Sequence, residues 1–214
     1  IKGGQSTLSN PLFLDSKGKL KTFDYVVANP PFSQKNWMDG FVPSDDQYDR
    51  FDGFGIPPEK NGDYAFLLHI LKSLKPGKGI GAVILPHGVL FRGGAEEAIR
   101  KNIIRFIKGI IGLPSNLFYG TGIPACIIVL DKAEMERHKG IFFIDASKDY
   151  IKDGAKNRLR EQDIRKITDT FLNQIEIPYY SRFVPDEEIV ENGFNLNIPR
   201  YIAKPNNEVI QNIE

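Results

Sequence analysis

Residues 23–32 read FDYVVANPPF. The stretch starts as a buried strand does, with Tyr25, Val26 and Val27 in an apolar run, and then meets Asn29 and two prolines. Neither Pro30 nor Pro31 has a backbone N–H to give to a neighbouring strand, so the chain must leave any sheet at this point. The rest of the sequence is organised around strands of the same kind. Apolar runs at 80–85, 106–113, 124–131 and 141–145 read as further strands. Between them, residues 63–75 place Tyr64, Leu67, Leu68, Leu71 and Leu74 at helical spacing, and KPGKG stops that helix. Residues 94–104 read as a second helix with Ala98 on its apolar side, and 161–173 as a third.

Strands alternating with helices predict an α/β fold with a mostly parallel sheet. The runs at 106–113 and 124–131 are joined by about ten residues without helical periodicity, too few for a parallel crossover, so a late antiparallel strand is expected. Two regions are drawn, 1–150 as the main unit and 151–214 as an extension ending in the polar tail KPNNEVIQNIE. The segment 33–61 is rich in Asp, Gly, Pro and aromatics and reads as a mobile loop; Asp45, Asp46, Asp49 and Asp52 do not follow the pattern of a calcium loop, and no metal site is expected.

Composition narrows the partners. The chain has 214 residues, 28 basic against 27 acidic, and a net charge of +1. A protein that grips DNA unaided usually carries a clear basic excess. Basic residues do cluster at 156–160 and at Arg92, Arg100, Lys101 and Arg105, as phosphate contacts or as solvated faces. No apolar run reaches the roughly 18 residues of a membrane span. One cysteine, Cys126, in an apolar run, suits a buried thiol in a reducing compartment, hence a cytoplasmic location. His69 and His138 read as structural or solvated. GKGIG, with Gly77, Gly79 and Gly81, follows a helix and opens a strand, the reverse of a dinucleotide fingerprint, and reads as a connecting turn.

The chemistry lies at the end of the first strand. In an open α/β sheet, ligands bind beyond the carboxyl ends of the strands. There Asn29 offers a side-chain oxygen, Pro30 a carbonyl without a competing donor, and Phe32 a flat apolar face. Two acceptors beside a flat face suit an amino group on an aromatic ring. The N6 amine of adenine is a poor nucleophile because its lone pair is delocalised into the purine. Two acceptors holding its hydrogens would favour a tetrahedral nitrogen with its lone pair aimed at an incoming methyl group, and Phe32 would stack on a base flipped out of the duplex.

DYVVANPPF resembles the catalytic motif of N6-adenine DNA methyltransferases. NPPFSQKNW, DYAFLLHILKSLKPGKGIGAVILPHGVLFRGG, IIGLPSNLFYGTGIPACIIVLDK and GFNLNIPRYI are each similar, in the same order, to segments of the modification subunit of type I restriction-modification systems. The resemblance implies a Rossmann-like S-adenosylmethionine-dependent methyltransferase fold, present in part. It implies Asn29, Pro30, Pro31 and Phe32 as the catalytic tetrapeptide, with Asn29 also at the cofactor. It implies an aromatic from the loop LPSNLFYGTGIPA opposite Phe32, with Phe118 the candidate and Tyr119 the second; filling the core below is the alternative for Phe118. Pro86 and His87, with Gly88, would border the base pocket, and His87 otherwise reads as a turn histidine.

In this family a Gly-rich loop and an acidic residue that bind S-adenosylmethionine precede the catalytic strand; the 28 residues before Asn29 hold neither, and Gln5 and Ser6 stand where an acidic residue is common. The chain therefore reads as the second half of a methyltransferase domain, its N-terminal half a missing partner. Weak or no S-adenosylmethionine binding by this stretch alone is expected, and an open strand edge that favours self-association. DNA, a specificity subunit and a restriction subunit are the other partners implied. Two other classes remain: an N-methyltransferase acting on protein or RNA, and a non-catalytic DNA-binding or assembly module.

Overall fold

The computed structural model of the chain describes residues 7–133 and 135–202. Gln5, Ser6 and the tail KPNNEVIQNIE lie outside the described residues. The elements run β1 (Tyr25–Ala28), α1 (Asp63–Lys72), β2 (Ile80–Pro86), α2 (Ala95–Ile103), β3 (Ile107–Gly112), β4 (Ala125–Asp131), β5 (Gly140–Asp145), β6 (Ile151–Asp153), β7 (Lys156–Arg158), α3 (Glu161–Leu172), β8 (Ser181–Pro185) and α4 (Asp186–Glu191). Strands β6 and β7 form a separate hairpin. The other six form one sheet in the order β1-β2-β4-β3-β5-β8. β1, β2, β3 and β5 run the same way, and β4 and β8 run against them. The short β3–β4 connection gives the antiparallel pair that its length predicts. A second reversed strand, β8, closes the far edge.

Two cores cover the sheet. On one face, Tyr64, Leu67, Leu68 and Leu71 of α1 and Ile99 and Ile103 of α2 pack on Val83, Leu85, Ile128 and Leu130. On the other, Ile167 of α3 packs with Ile111, Val129, Phe142 and Ile144. A side chain on Gly109 of β3 would lie 2.3 Å from the ring of Phe171, so the glycine is what lets α3 approach the sheet. Residues 151–202 share these cores. β8 pairs with β5, and Tyr201 stacks on Phe143 at 4.7 Å.

Three expectations are corrected. The first strand is not buried on both faces. Val26 and Ala28 pack on the first core, but Tyr25 is 77% and Val27 83% exposed, and no strand pairs with the outer edge of β1 among the described residues. Ala98 is exposed, because α2 turns Glu96 and Arg100 inward beside Ile99 and Ile103. The segment 33–61 is packed. Trp37, Tyr48 and Phe51 are buried, and Arg50 lies within 6 Å of the ring centroids of Phe41, Tyr48 and Phe51 while binding Asp46 at 2.6 Å and the Leu8 carbonyl at 2.8 Å. A guanidinium among three rings satisfies the acidic residue that made the segment look solvated.

Candidate active site

β1 ends at Ala28, and residues 29–32 cross the carboxyl end of the sheet. There they form one wall of an open cleft of about 520 Å³. Asn29, Pro30, Pro31 and Phe32 line this wall; Phe118, Tyr119, Thr121 and Ile123, from the β3–β4 loop, line the other. The strand-ending prolines and the hairpin loop thus meet although about ninety residues separate them in sequence.

Phe32 and Phe118 are half-buried, and both rest on the second core. Their ring centroids are 5.7 Å apart with planes at 76°, an edge-to-face contact. A base held flat between two rings needs about 7 Å, two contacts of about 3.5 Å each. The rings therefore touch each other, and the space between them is narrower than a third flat ring held between two others requires. Tyr119 is 94% exposed and has no part in the core.

Pro86 and His87 do not line this cleft. Pro86 is buried and pairs with Ala125, and the His87 amide donates to the Pro124 carbonyl at 3.0 Å. Both therefore sit at the root of the Phe118 loop. The His87 imidazole is kept neutral: burial lowers its pKa against the opposing pull of Asp145, and Nε2 is enclosed without a partner among the described residues.

In the basic segment 156–160, Arg158 fits the solvated reading, while Lys156 has a task that neither expectation named. Lys156 Nζ donates to the carbonyls of Phe118 (2.7 Å) and Thr121 (3.2 Å). Asn157 donates from Nδ2 to Ser115 O at 2.6 Å and from its amide to Asn116 O at 3.0 Å. The β6–β7 hairpin thus holds the loop that carries Phe118. Arg158 pairs with Asp153, and Arg160 binds Asp163 at the start of α3. Lys156 and Asn157 were missed as loop anchors because their acceptors are backbone carbonyls about forty residues away. Arg92 and Arg100 are likewise drawn into a buried network, and Lys101 pairs with Glu97. Arg105 instead lines a smaller basic cleft with Lys108, Arg137 and Lys139, where β3 and β5 begin, at the opposite end of the sheet from Asn29.

The remaining titratable groups singled out in the sequence are structural. His69 is buried and its pKa is lowered to about 4 by desolvation and by the Arg50 charge, 3.4 Å from Nδ1. His138 binds Asp186 at 3.0 Å. Burial pushes the Cys126 thiol up, out of the reactive range. Among the described residues no three His, Cys, Asp or Glu side chains gather as metal ligands, and no helix is long and apolar enough to cross a membrane.

Comparison with known proteins agrees with this geometry. The model of the N-6 DNA Methylase family matches residues 2–209. The methylase subunit of the type I restriction enzyme MjaVII of Methanocaldococcus jannaschii is 36% identical over 189 residues, which cover 84% of this chain and 32% of that protein. The HindI methylase subunit of Haemophilus influenzae is 30% identical over 216 residues, covering 97% and 46%. Among solved structures, the methyltransferase subunit of a type I restriction-modification system from Streptococcus thermophilus superposes with a TM-score of 0.79 at 39% identity, over 92% of this chain and 41% of that one. A modification subunit of a type I restriction enzyme from Vibrio vulnificus, 18% identical with a TM-score of 0.64, shares the fold. The chain spans between about a third and a half of the length of these curated relatives. Its sequence, its sheet and its proline-ended strand place it in the N-6 DNA methylase family.

Proposed function

We propose that this chain is the adenine-holding part of a site-specific adenine-N6 DNA methyltransferase subunit of a type I restriction-modification system. The observation that carries this reading is the meeting of residues 29–32 with Phe118 in one cleft at the carboxyl end of β1, in a chain of this family. Asn29 Oδ1 and the Pro30 carbonyl accept the two N6 hydrogens of a flipped adenine. The nitrogen then becomes tetrahedral and its lone pair is released from the ring for the incoming methyl group. Pro31 keeps the turn rigid and free of donors. Phe32 stacks on the base, and Phe118 closes over it once displaced from its edge contact.

The methyl donor in this reading is S-adenosylmethionine. Asn29 borders the cleft and is exposed, and among the described residues no strand pairs with the outer edge of β1, which supports a donor site that is shared with residues beyond these. The described residues work on the acceptor side, and the donor site is completed outside them. The near-neutral charge of the chain fits a subunit whose DNA recognition comes from a specificity subunit, with a restriction subunit as the further partner, acting on cytoplasmic DNA.

The test uses the full-length methylase subunit assembled with its specificity subunit. Asn29→Ala should lower methyl incorporation into DNA by at least about 100-fold, the scale of one lost polar partner in a transition state, while S-adenosylmethionine affinity, to which Asn29 contributes only in part, stays nearly intact. Near-normal turnover overturns the reading. Labelling of protein or RNA instead of DNA by the wild-type assembly assigns the amine-methylating chemistry to another substrate.

A further inference from the structure

We propose that Asp63 is a positioning residue for the adenine-holding tetrapeptide: its buried carboxylate fixes the Phe32–Ser33 peptide and ties it to the segment 86–92 through Arg92. The inference rests on the function proposed above and concerns a residue outside the cleft wall.

Asp63 opens α1, and its side chain is fully buried. A carboxylate there needs compensation for every oxygen. Oδ1 accepts the Ser33 amide at 2.7 Å. Oδ2 accepts Arg92 Nη1 at 3.0 Å. The N-cap of α1 is Gly62, and Asp63 lies in the first turn, where a negative charge suits the helix dipole; yet neither carboxylate oxygen binds an N–H of its own helix, and both point to residues outside it. Its targets are two loops that leave adjacent parallel strands, β1 and β2, at their carboxyl ends.

The Ser33 contact controls Phe32 directly. The Ser33 N–H and the Phe32 carbonyl belong to one peptide plane, so holding that N–H orients the residue whose ring lines the cleft. Ser33 also has φ of 50°, a left-handed conformation that a non-glycine residue keeps only where its surroundings demand it. A charge-assisted bond to a buried carboxylate is such a demand. A second bond runs alongside, from the Gly62 amide to the Gln34 carbonyl at 3.0 Å.

The Arg92 contact reaches the other loop. Arg92 also binds Glu96 at 3.0 Å, and Arg100 donates to the carbonyls of Arg92 (2.7 Å) and Val89 (3.1 Å). The guanidinium of Arg92 lies against Gly88, where an added Cβ would stand 2.6 Å from it. Two buried carboxylates thus share the half-buried Arg92 guanidinium, and the buried Arg100 holds the backbone of the same loop. Asp63 and Glu96 share Arg92, but only Asp63 touches the catalytic loop. That asymmetry separates positioning from packing.

The experiment compares Asp63→Asn with Glu96→Gln in the full-length subunit with its specificity subunit, each assayed at a fixed interval below its own Tm. Both changes remove one carboxylate from the same cluster and should lower Tm. Asp63→Asn should lower kcat by about 10-fold or more, with KM for DNA and for S-adenosylmethionine within about twofold of wild type. Glu96→Gln should keep kcat within about twofold. In both variants 2-aminopurine at the target position should brighten on binding as in wild type, because leaving the stack does not need the Ser33 bond. Equal kcat values for the two variants, or a wild-type kcat for Asp63→Asn, overturn the inference. Should Asp63→Asn fail to fold, hydrogen exchange in the wild-type protein decides: the Ser33 amide should exchange slowly, and rapid exchange there overturns it. An Asn29→Ala variant run in parallel tells the two failures apart, since full turnover in that variant sinks the functional reading itself.

Discussion

The two walls of the cleft are held by opposite means. The wall of residues 29–32 is backed by buried charge: Asp63 holds Ser33, and in the segment 33–61 that continues from this wall Arg50, with no exposed side-chain surface, binds Asp46 and lies among three aromatic rings. The wall that carries Phe118 hangs from Lys156 and Asn157, which bind backbone carbonyls on a small surface hairpin. Buried ionic groups tolerate little displacement, because a charge left without its partner is costly. Amide and ammonium bonds to part-exposed carbonyls can be exchanged for water at small net cost. The difference assigns fixed and moving parts. In the proposed function this makes Phe32 the fixed ring and Phe118, in edge contact with it, the ring that would yield to a base.

The largest effect should come from breaking the fixed side. Arg50→Met leaves the Asp46 carboxylate buried without its cation and should cost about 3–5 kcal/mol in urea unfolding. A cost below about 1 kcal/mol would put the two walls on equal footing. The next effect is one of pH. His69 has a folded pKa of about 4, below the usual 6.5, so it is neutral in the folded state while the unfolded chain binds a proton. Stability from this group is complete above pH 6.5 and is lost as pH falls towards 4, by about 3 kcal/mol at about 1.4 kcal/mol per pH unit. His69→Leu should flatten the dependence of Tm on pH across that window; an unchanged slope would remove His69 from the fixed side. The smallest effect belongs to the hanging wall. Lys156→Met should lower stability by only about 1 kcal/mol and speed protease cleavage near Tyr119, read by mass spectrometry. Unchanged cleavage would mean that the hairpin does not hold the loop.

Much of the fold was legible because its signals are local. Five apolar residues at helical spacing place α1, and two prolines end β1 where the sheet must stop. The short β3–β4 connection predicts their pairing. The failures share a physical cause, which is compensation by distant residues. Ala98 looked like the inner face of α2 because Glu96 and Arg100 look like solvent residues until Arg92 and the carbonyls of Val89 and Phe194 are beside them. Residues 33–61 looked mobile because one arginine neutralises Asp46 inside an aromatic cluster. Lys156 looked like a phosphate contact or a solvated charge because backbone carbonyls leave no trace in the spacing of side chains. In the site, Asn29 and Phe32 follow from the strand end, whereas Phe118 came from likeness to a family, and its edge contact with Phe32 only from the three-dimensional arrangement.

The order β1-β2-β4-β3 also sets a schedule for the nascent chain. β3 leaves the ribosome before β4, yet the neighbour of β2 is β4. Until residue 131 has emerged, β2 waits with a bare edge of Val and Ile that β3, arriving after a helix, is tempted to take as a parallel partner. β4 pairs antiparallel with both β2 and β3, so the sheet can close only after residue 131 has emerged. The turn that joins β3 to β4 is the loop that bears Phe118. Synthesis therefore delivers the Phe118 wall of the cleft well after residues 29–32, and its anchors Lys156 and Asn157 later still.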